Sequence, residues 1–318
     1  VVVDHARQRS YFVRQGRDRR DHAGWQSALR RLLAVSAAPG AVPEVRGTLL
    51  ESGMSFADYA RDFEQIQRYI GDGDCYQVNF SQRFKARIGC DAWTLYQRMR
   101  RDNPAPYGAL LEYPFGQLLS SSPEQFLSLR DGRAQTRPIK GTRPRGSSAV
   151  QDLALRAQLL SSDKDRAENL MIVDLLRNDL GRVCEPGSIE VPDMFQVESF
   201  ATVHHLVSTV TGRLRTGQDA LDLIGACFPG GSITGAPKRR AMQIIDELEP
   251  VRREAYCGNI IRLGFDGGLD SSITIRTLLM QHDTLYYWAG GGIVADSDCA
   301  AEYQESLDKA AAFLRLLD

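Results

Sequence analysis

No apolar run of about 18 residues, the length a membrane span needs, interrupts this 318-residue sequence, and its opening Val1-Val2-Val3-Asp4-His5 does not follow the order of a signal peptide. No membrane partner is expected, and the location expected is cytoplasmic. Charge of one sign is also missing: 39 Lys and Arg stand against 40 Asp and Glu, so the broad basic face that nucleic acid requires is not there. Six cysteines, at 75, 90, 184, 227, 257 and 299, form no Cys-x-x-Cys pair, which argues against a zinc site and a disulfide framework and for a reducing compartment. Repeats and low-complexity segments are absent. So is an initiator methionine, and because the chain opens in a strand-like run it is expected to be a piece of a longer one.

What remains, 43% hydrophobic and 25% charged, suits one large globular domain or two smaller ones. Residues 1–46 are rich in arginine, with an amphipathic stretch from about Trp25 to Val35 and a Pro/Gly-punctuated linker at Pro39 to Pro43. Ser55 then reads as the N-cap of a helix carrying Phe56, Tyr59, Phe63, Ile66 and Ile70 on one face. From Cys75 to Ile88 side chains alternate, with Tyr76, Val78, Phe80 and Phe84 opposite a polar face of Gln77, Asn79, Ser81 and Arg83. Such a face implies solvent or a site.

Short strands are expected near 107–112, 117–121 and 125–135, the last folded at Asp131-Gly132. Two helices follow near 149–160 and 164–180, the second capped by Ser162 or Asp163. Strand-like runs return near 188–191, 205–211, 259–265, 271–280 and 284–289, with helices near 237–248 and 298–317. Hairpin-joined strands with helices between them predict an α+β architecture built on antiparallel sheets.

Thr136 to Gly146 sets Lys140 among Arg137, Arg143 and Arg145, with two prolines and two glycines, so a shaped loop is expected. Three guanidinium groups would disfavour a positive charge on the amine, as a nucleophilic lysine requires. A basic, solvated loop that binds an anion is the alternative. Asp165 and Glu168 share one helical face, and Glu302, Glu305 and Lys309 share another near the C-terminus. These oxygen-only stripes suit Mg²⁺, or equally a solvated face paired along the helix.

Pro229 to Lys238 and Ala289 to Gly292 are glycine-rich turns whose amides are suited to face an anion, although the first is no Walker loop. Arg276, in an alternating strand, is a further anion-binding candidate. Glu124, after Ser121-Ser122-Pro123, is a general-acid candidate if it is desolvated. His204 and His205 precede an apolar strand and should point to opposite faces.

Taken together, Cys75 to Asn79, Ser121 to Glu124, Pro138 to Gly146, Asp174 to Val183, Pro229 to Lys238 and Ala289 to Ser297 resemble the motifs of the chorismate-utilising enzymes, on their aminodeoxychorismate synthase branch. The likeness runs from about residue 55 to the end. It implies a four-layer α/β/β/α core with two orthogonally packed antiparallel sheets. It also implies a catalytic domain over 55–318, with 1–54 as a remnant of an N-terminal region and linker. By the same resemblance Glu168 and Glu305 hold Mg²⁺ against the ring carboxylate of chorismate, with Asp165 and Glu302 in support. Tyr256, Arg276 and the amides of Gly290, Gly291 and Gly292 hold the enolpyruvyl carboxylate. Lys140 is the nucleophile and Glu124 the acid, while His205, Ser232, Lys238 and Lys309 line the pocket.

The activity implied is amination of chorismate at C4 for 4-aminobenzoate and folate synthesis, with ammonia expected from a separate glutamine amidotransferase subunit or from free ammonium, since no glutaminase domain is read in this sequence. Two positions discriminate within the family. Anthranilate synthases carry alanine where Lys140 stands, and isochorismate synthases carry a lysine base where Gln77 stands. The alternatives that the resemblance leaves are an anthranilate synthase component I and an inactive homologue that binds chorismate or a partner without turnover.

Overall fold

The structure is a computed structural model and describes residues 1–13, 21–34 and 44–317. The linker expected at Pro39 to Pro43, and the end of the amphipathic stretch at Val35, lie outside these residues. Contacts divide the chain into two units, Val1–Pro43 and Glu44–Asp318. The first holds a short antiparallel pair, β1 (Val2–Asp4) with β2 (Arg9–Tyr11), and helix α1 (Asp21–Leu33).

The second unit begins with β3 (Gly47–Glu51), α2 (Phe56–Gly71), β4 (Gln77–Ile88), α3 (Ala92–Asp102), β5 (Tyr107–Tyr113), β6 (Gly116–Ser122), β7 (Gln125–Arg130), β8 (Arg133–Arg137) and β9 (Ile139–Pro144). It continues through α4 (Ala149–Ser161), α5 (Asp163–Gly181), β10 (Glu190–Ser199), β11 (Val203–Arg213), α6 (Ala220–Cys227), β12 (Gly235–Ala236) and α7 (Lys238–Leu248). Four strands, β13 (Asn259–Leu263), β14 (Leu269–Ile273), β15 (Thr277–Gln281) and β16 (Thr284–Ile293), precede the last helix, α8 (Cys299–Leu314).

Two seven-stranded sheets result. The first has the order β10-β11-β8-β7-β14-β13, with β9 also on β11; the second has the order β12-β4-β16-β15-β6-β5, with β3 also on β4. Every pairing is antiparallel. Ile172, Leu176 and Leu180 of α5 and Leu223 of α6 are buried with Leu127 and Val210 of the first sheet, in a cluster that also takes Leu279 and Trp288 from the second. On the second sheet, Leu95 of α3 and Phe313 of α8 pack on Phe84 and Leu285, while Tyr59 and Ile66 of α2 and Ile244 of α7 pack on Val78 and Phe80. Helix, sheet, sheet and helix therefore form four layers, as expected.

The helix starts follow from local chemistry. Ser55 and Ser162 each accept the third backbone N–H of their helices, the bond that makes Ser a good N-cap. Helices α3 and α6, capped by Asp91 and Asp219, are additions to the sequence expectation. Two strand expectations change. Residues 271–280 are not one strand: β14 belongs to the first sheet and β15 to the second, with residues 274–276 crossing between them. The Lys140 stretch is not a loop, because β9 pairs with β11 in the register Thr142 to His205.

Candidate active site

Two such crossings build the centre of the site. β6 leaves the second sheet through Ser122-Pro123-Glu124 to become β7 of the first, and β14 returns through Thr274-Ile275-Arg276 to become β15. They are stitched together: Ser122 Oγ donates to the Ile273 carbonyl at 2.6 Å, Ile273 N to the Glu124 carbonyl at 3.2 Å, and Ser121 N to the Arg276 carbonyl at 3.0 Å. Arg276 sits at φ 51°, an uncommon backbone region for a residue with a side chain, and so breaks the strand where it lines the site. Beside the crossings opens a cavity of about 590 Å³.

Lys140 reaches this cavity from β9, its side chain only 13% exposed and its Nζ 3.9 Å from Oε2 of Glu168. The next residue, Gly141, has φ +86°, and a Cβ there would come within 2.9 Å of Asp165, so glycine is required where the strand passes the helix. The arginines do not act on Lys140 as bare charges. Arg143 pairs with Asp165 at 3.0 Å, Arg145 grips Asp152 with bonds of 2.7 and 2.8 Å, and Arg137 pairs with Glu198. Three carboxylates offset the field expected from them.

Glu124 is 4% exposed, and burial pushes its carboxyl up to about 7, against the opposing pull of the Ser232 hydroxyl, the Lys140 charge and the Ile139 N–H. Ser232 Oγ donates to Oε1 of Glu124 at 2.9 Å. The desolvation that an acid role would require is thus met at Glu124. His205 bonds through Nδ1 to Thr142 Oγ1 at 2.9 Å, and burial, then the Arg276 charge, lowers its imidazole to about 4, so it is neutral near pH 7. His204 turns the other way, to Asp152 at 3.0 Å and Ser199 at 2.7 Å.

The opposite wall is helical. α5 presents Asp165 and Glu168, and α8 presents Glu302, Glu305 and Lys309. Glu168 is raised by burial and by the charges of Glu302 and Asp165, although Lys140 and Lys164 pull the other way. Glu305 is about half exposed; the partial desolvation of its carboxyl would raise it, yet Lys309, bonded to it at 2.7 Å, together with Lys140 and Lys164, holds it below the usual carboxylate range. Glu302 accepts from Ser297 Oγ at 2.7 Å and pairs with Lys164 at 3.7 Å. Among the described residues no three Asp, Glu, His or Cys side chains converge as a ready metal centre.

Gly290, Gly291 and Gly292 lie within β16 and not in a turn after it. They pair with Ser81, Phe80 and Asn79 of β4, and because β15 reaches only as far as Tyr287, their other backbone edge is left towards the cavity. A Cβ on Gly291 would stand 3.1 Å from Oε2 of Glu302, so glycine lets strand and helix meet there. Tyr256 stacks nearly parallel on Trp288, at 6.4 Å and 10° between rings, and both face the same space. Gln77 is fully buried against Gly292.

All the site residues expected from the sequence line this one cavity except Lys238. Lys238 Nζ instead donates to Asp179 Oδ2 at 2.6 Å and to the Cys227 carbonyl at 2.9 Å. The glycine-rich segment before it is not an open anion cradle either: residues 230–236 are buried, and Ser232 is the side chain it delivers. Two residues escaped the sequence. Lys164 sits between Asp163 and Asp165, a position that could have announced it; partly buried Arg253, bonded to Glu249 and to the carbonyls of Ile233 and Asn79, had no sequence signal.

A family model described as chorismate binding enzyme matches residues 1–315. The chain belongs to that family. It is 52% identical over 318 residues to aminodeoxychorismate synthase component 1 of Klebsiella aerogenes, covering all of this chain and 69% of that protein. It is 53% identical to the protein of the same name from Salmonella typhimurium, covering 91% of this chain and 63% of that one. Among solved structures, anthranilate synthase component I of Streptococcus pneumoniae superposes with a TM-score of 0.84 at 33% identity, over 97% of this chain and 70% of that one. The chain thus spans about two thirds of these chorismate-family relatives. No helix among the described residues is long and apolar enough to cross a membrane.

Proposed function

We propose that this chain aminates chorismate at C4 to give 4-amino-4-deoxychorismate, the step towards 4-aminobenzoate and folate. The observation that carries it is Lys140 facing the helix carboxylates in the cavity that also holds the buried acid Glu124. Relatives more than 50% identical bear the aminodeoxychorismate synthase name, and by the family resemblance a lysine at 140 belongs to that branch, the anthranilate synthases carrying alanine there. Buried Gln77, which has no charge to serve as a base, speaks against water addition at C2.

Arg276, Tyr256 and the open edge of Gly290–Gly292 hold the enolpyruvyl carboxylate, with Lys309 anchored on the Gly290 carbonyl at 2.8 Å. The Lys140 amine attacks C2, the ring double bonds shift, and Glu124 gives its proton to the C4 hydroxyl, which leaves as water. Ammonia then adds at C4 as the lysine leaves C2. Neutral His205, bonded to Thr142 beside Lys140, shapes this wall without adding charge.

The helix carboxylates suit Mg²⁺ by donor chemistry: all are oxygen, and Glu168 is kept from easy ionisation partly by its acidic neighbours, a strain that a cation relieves. Mg²⁺ takes one or two carboxylates and fills the rest of its shell with water and substrate oxygens, so no prebuilt three-ligand cluster is required. Glu168 and Glu305 would hold it, with Asp165 and Glu302 in support. Bound there, it supplies the positive charge that fixes the ring carboxylate. The name component 1 implies a second component, and we propose a glutamine amidotransferase that supplies the ammonia.

The test is to incubate the full chain with chorismate, Mg²⁺ and ammonium and to separate products by mass. 4-Amino-4-deoxychorismate is expected. Anthranilate with pyruvate would replace this assignment, and binding without any ammonia-dependent product would mark an inactive homologue.

A further inference from the structure

We propose that Lys238, though outside the cavity, is a positioning residue that orients the Ser232 hydroxyl on Glu124 through its bridge to Asp179 and the end of α6. The inference rests on the proposed role of Glu124 as the acid. Segment 229–237 carries Ser232 between two partly buried cations. On one side Lys238 ties the start of α7 to Asp179 of α5 and to the Cys227 carbonyl of α6. On the other, Arg253 donates to the Ile233 carbonyl at 2.8 Å, next to Ser232. Between them Thr234 Oγ1 donates to the Gly230 carbonyl at 2.9 Å and closes the turn on itself.

The Lys238 bridge is well enclosed, with the side chain of Asp179 3% exposed and that of Lys238 15%. Asp179 lies eleven residues beyond Glu168, about three helical turns, so the two share a face of α5 roughly 16 Å apart. One rigid helix therefore bears a cavity carboxylate at one end and the anchor of the Ser232 segment at the other. Glu124 itself feels burial, Ser232, Lys140 and the Ile139 N–H, and Lys238 is not among these influences. Lys238 bonds Asp179 and the Cys227 carbonyl and not Glu124, so the geometric route from it to Glu124 runs through the placement of Ser232. The other charged groups around the cavity, namely Arg143, Lys164, His205, Arg276, Asp308, Lys309 and the helix carboxylates, make no bond to Lys238 or Asp179, whose remaining charged partner is the half-exposed Arg182 at 2.9 Å.

The experiment follows the infrared carbonyl band of protonated Glu124, assigned by its loss in Glu124→Gln, through a pH titration of the full chain without substrate. Ser232→Ala removes a bond that favours the carboxylate and should raise the midpoint by about one pH unit. Lys238→Met with Asp179→Asn, paired so that neither charge is left buried alone, should raise it in the same direction by about half a unit or more. Adding Ser232→Ala to that pair should give no further rise, and Lys238→Arg should keep the wild-type midpoint. Should the paired variant not fold, Asp179→Asn alone is read in the same way. A midpoint that stays in place in these variants while Ser232→Ala moves it reduces Lys238 to a structural role and overturns the inference. Because no turnover is needed, failure of C4 amination would remove the proposed reaction and leave this result standing, and the converse also holds.

Discussion

The two walls of the cavity carry carboxyl groups under opposite regimes. On the sheet wall Glu124 stands alone at a strand crossing, buried with a hydroxyl and a lysine for company, and is held up to about 7. On the helix wall Asp165, Glu168, Glu302 and Glu305 line the cavity together, and lysines are interleaved with them: Lys309 brings the half-exposed Glu305 below its usual range. Isolation makes a carboxyl that can lend a proton at neutral pH; a paired lysine keeps Glu305 an anion, while Glu168, raised by burial and by its acidic neighbours, gains from a cation. The difference arises from the backbone, since a crossing delivers one side chain into a dry seam while a helix repeats its side chains on one face.

The sharpest way to break the contrast is on the sheet wall. Lys140→Ala should lower ammonium-dependent formation of 4-amino-4-deoxychorismate by about 10³-fold or more, because the nucleophile itself is gone. Product formation at the wild-type rate in that variant would take Lys140 out of the reaction. Glu124→Gln should cost kcat about 10²- to 10⁴-fold with KM little changed, and the pH–rate limb near 7 should disappear.

The same substitution tests the electrostatics without catalysis. A folded carboxyl at about 7, against roughly 4.3 in the unfolded chain, stabilises the fold fully below the lower value and loses that contribution as pH rises through 7. At pH 8 the ionised, buried group costs the fold roughly 3 kcal/mol. Glu124→Gln should therefore raise the urea midpoint at pH 8 more than at pH 5, and an equal effect at both would refute the raised acid.

On the helix wall the expectation reverses. Glu168→Gln should weaken Mg²⁺ binding, measured by calorimetry, by about tenfold or more. Gly291→Ala should have the smallest effect, a few-fold loss of chorismate or Mg²⁺ affinity, since its Cβ would press on Glu302 at 3.1 Å. Unchanged binding in both variants would remove the metal from this wall.

The helix wall was legible in the sequence because helical spacing alone puts Asp165 with Glu168 and Glu302 with Glu305 and Lys309. The cap at Ser55, the hairpin at Asp131-Gly132 and the antiparallel α+β class were legible for the same local reason. The sheet wall was not. That Glu124 is buried and that Arg276 lies at a break depend on which sheet each strand joins, which no local pattern records. The arginines around Lys140 were misread because their carboxylate partners, Asp165, Asp152 and Glu198, lie 22, 7 and 61 residues away in sequence. Lys238 is a pocket residue only by family resemblance, and a motif match does not record which way a side chain turns: here it faces a buried aspartate.

The most direct test of the account is to expose the chain to chorismate and Mg²⁺ without ammonium, quench, and map the modified peptide by mass. A chorismate adduct less one water on Lys140, absent from Lys140→Ala and discharged by added ammonium, is the predicted result. No adduct on Lys140 while ammonium still yields 4-amino-4-deoxychorismate, or an adduct that survives in Lys140→Ala, would contradict it.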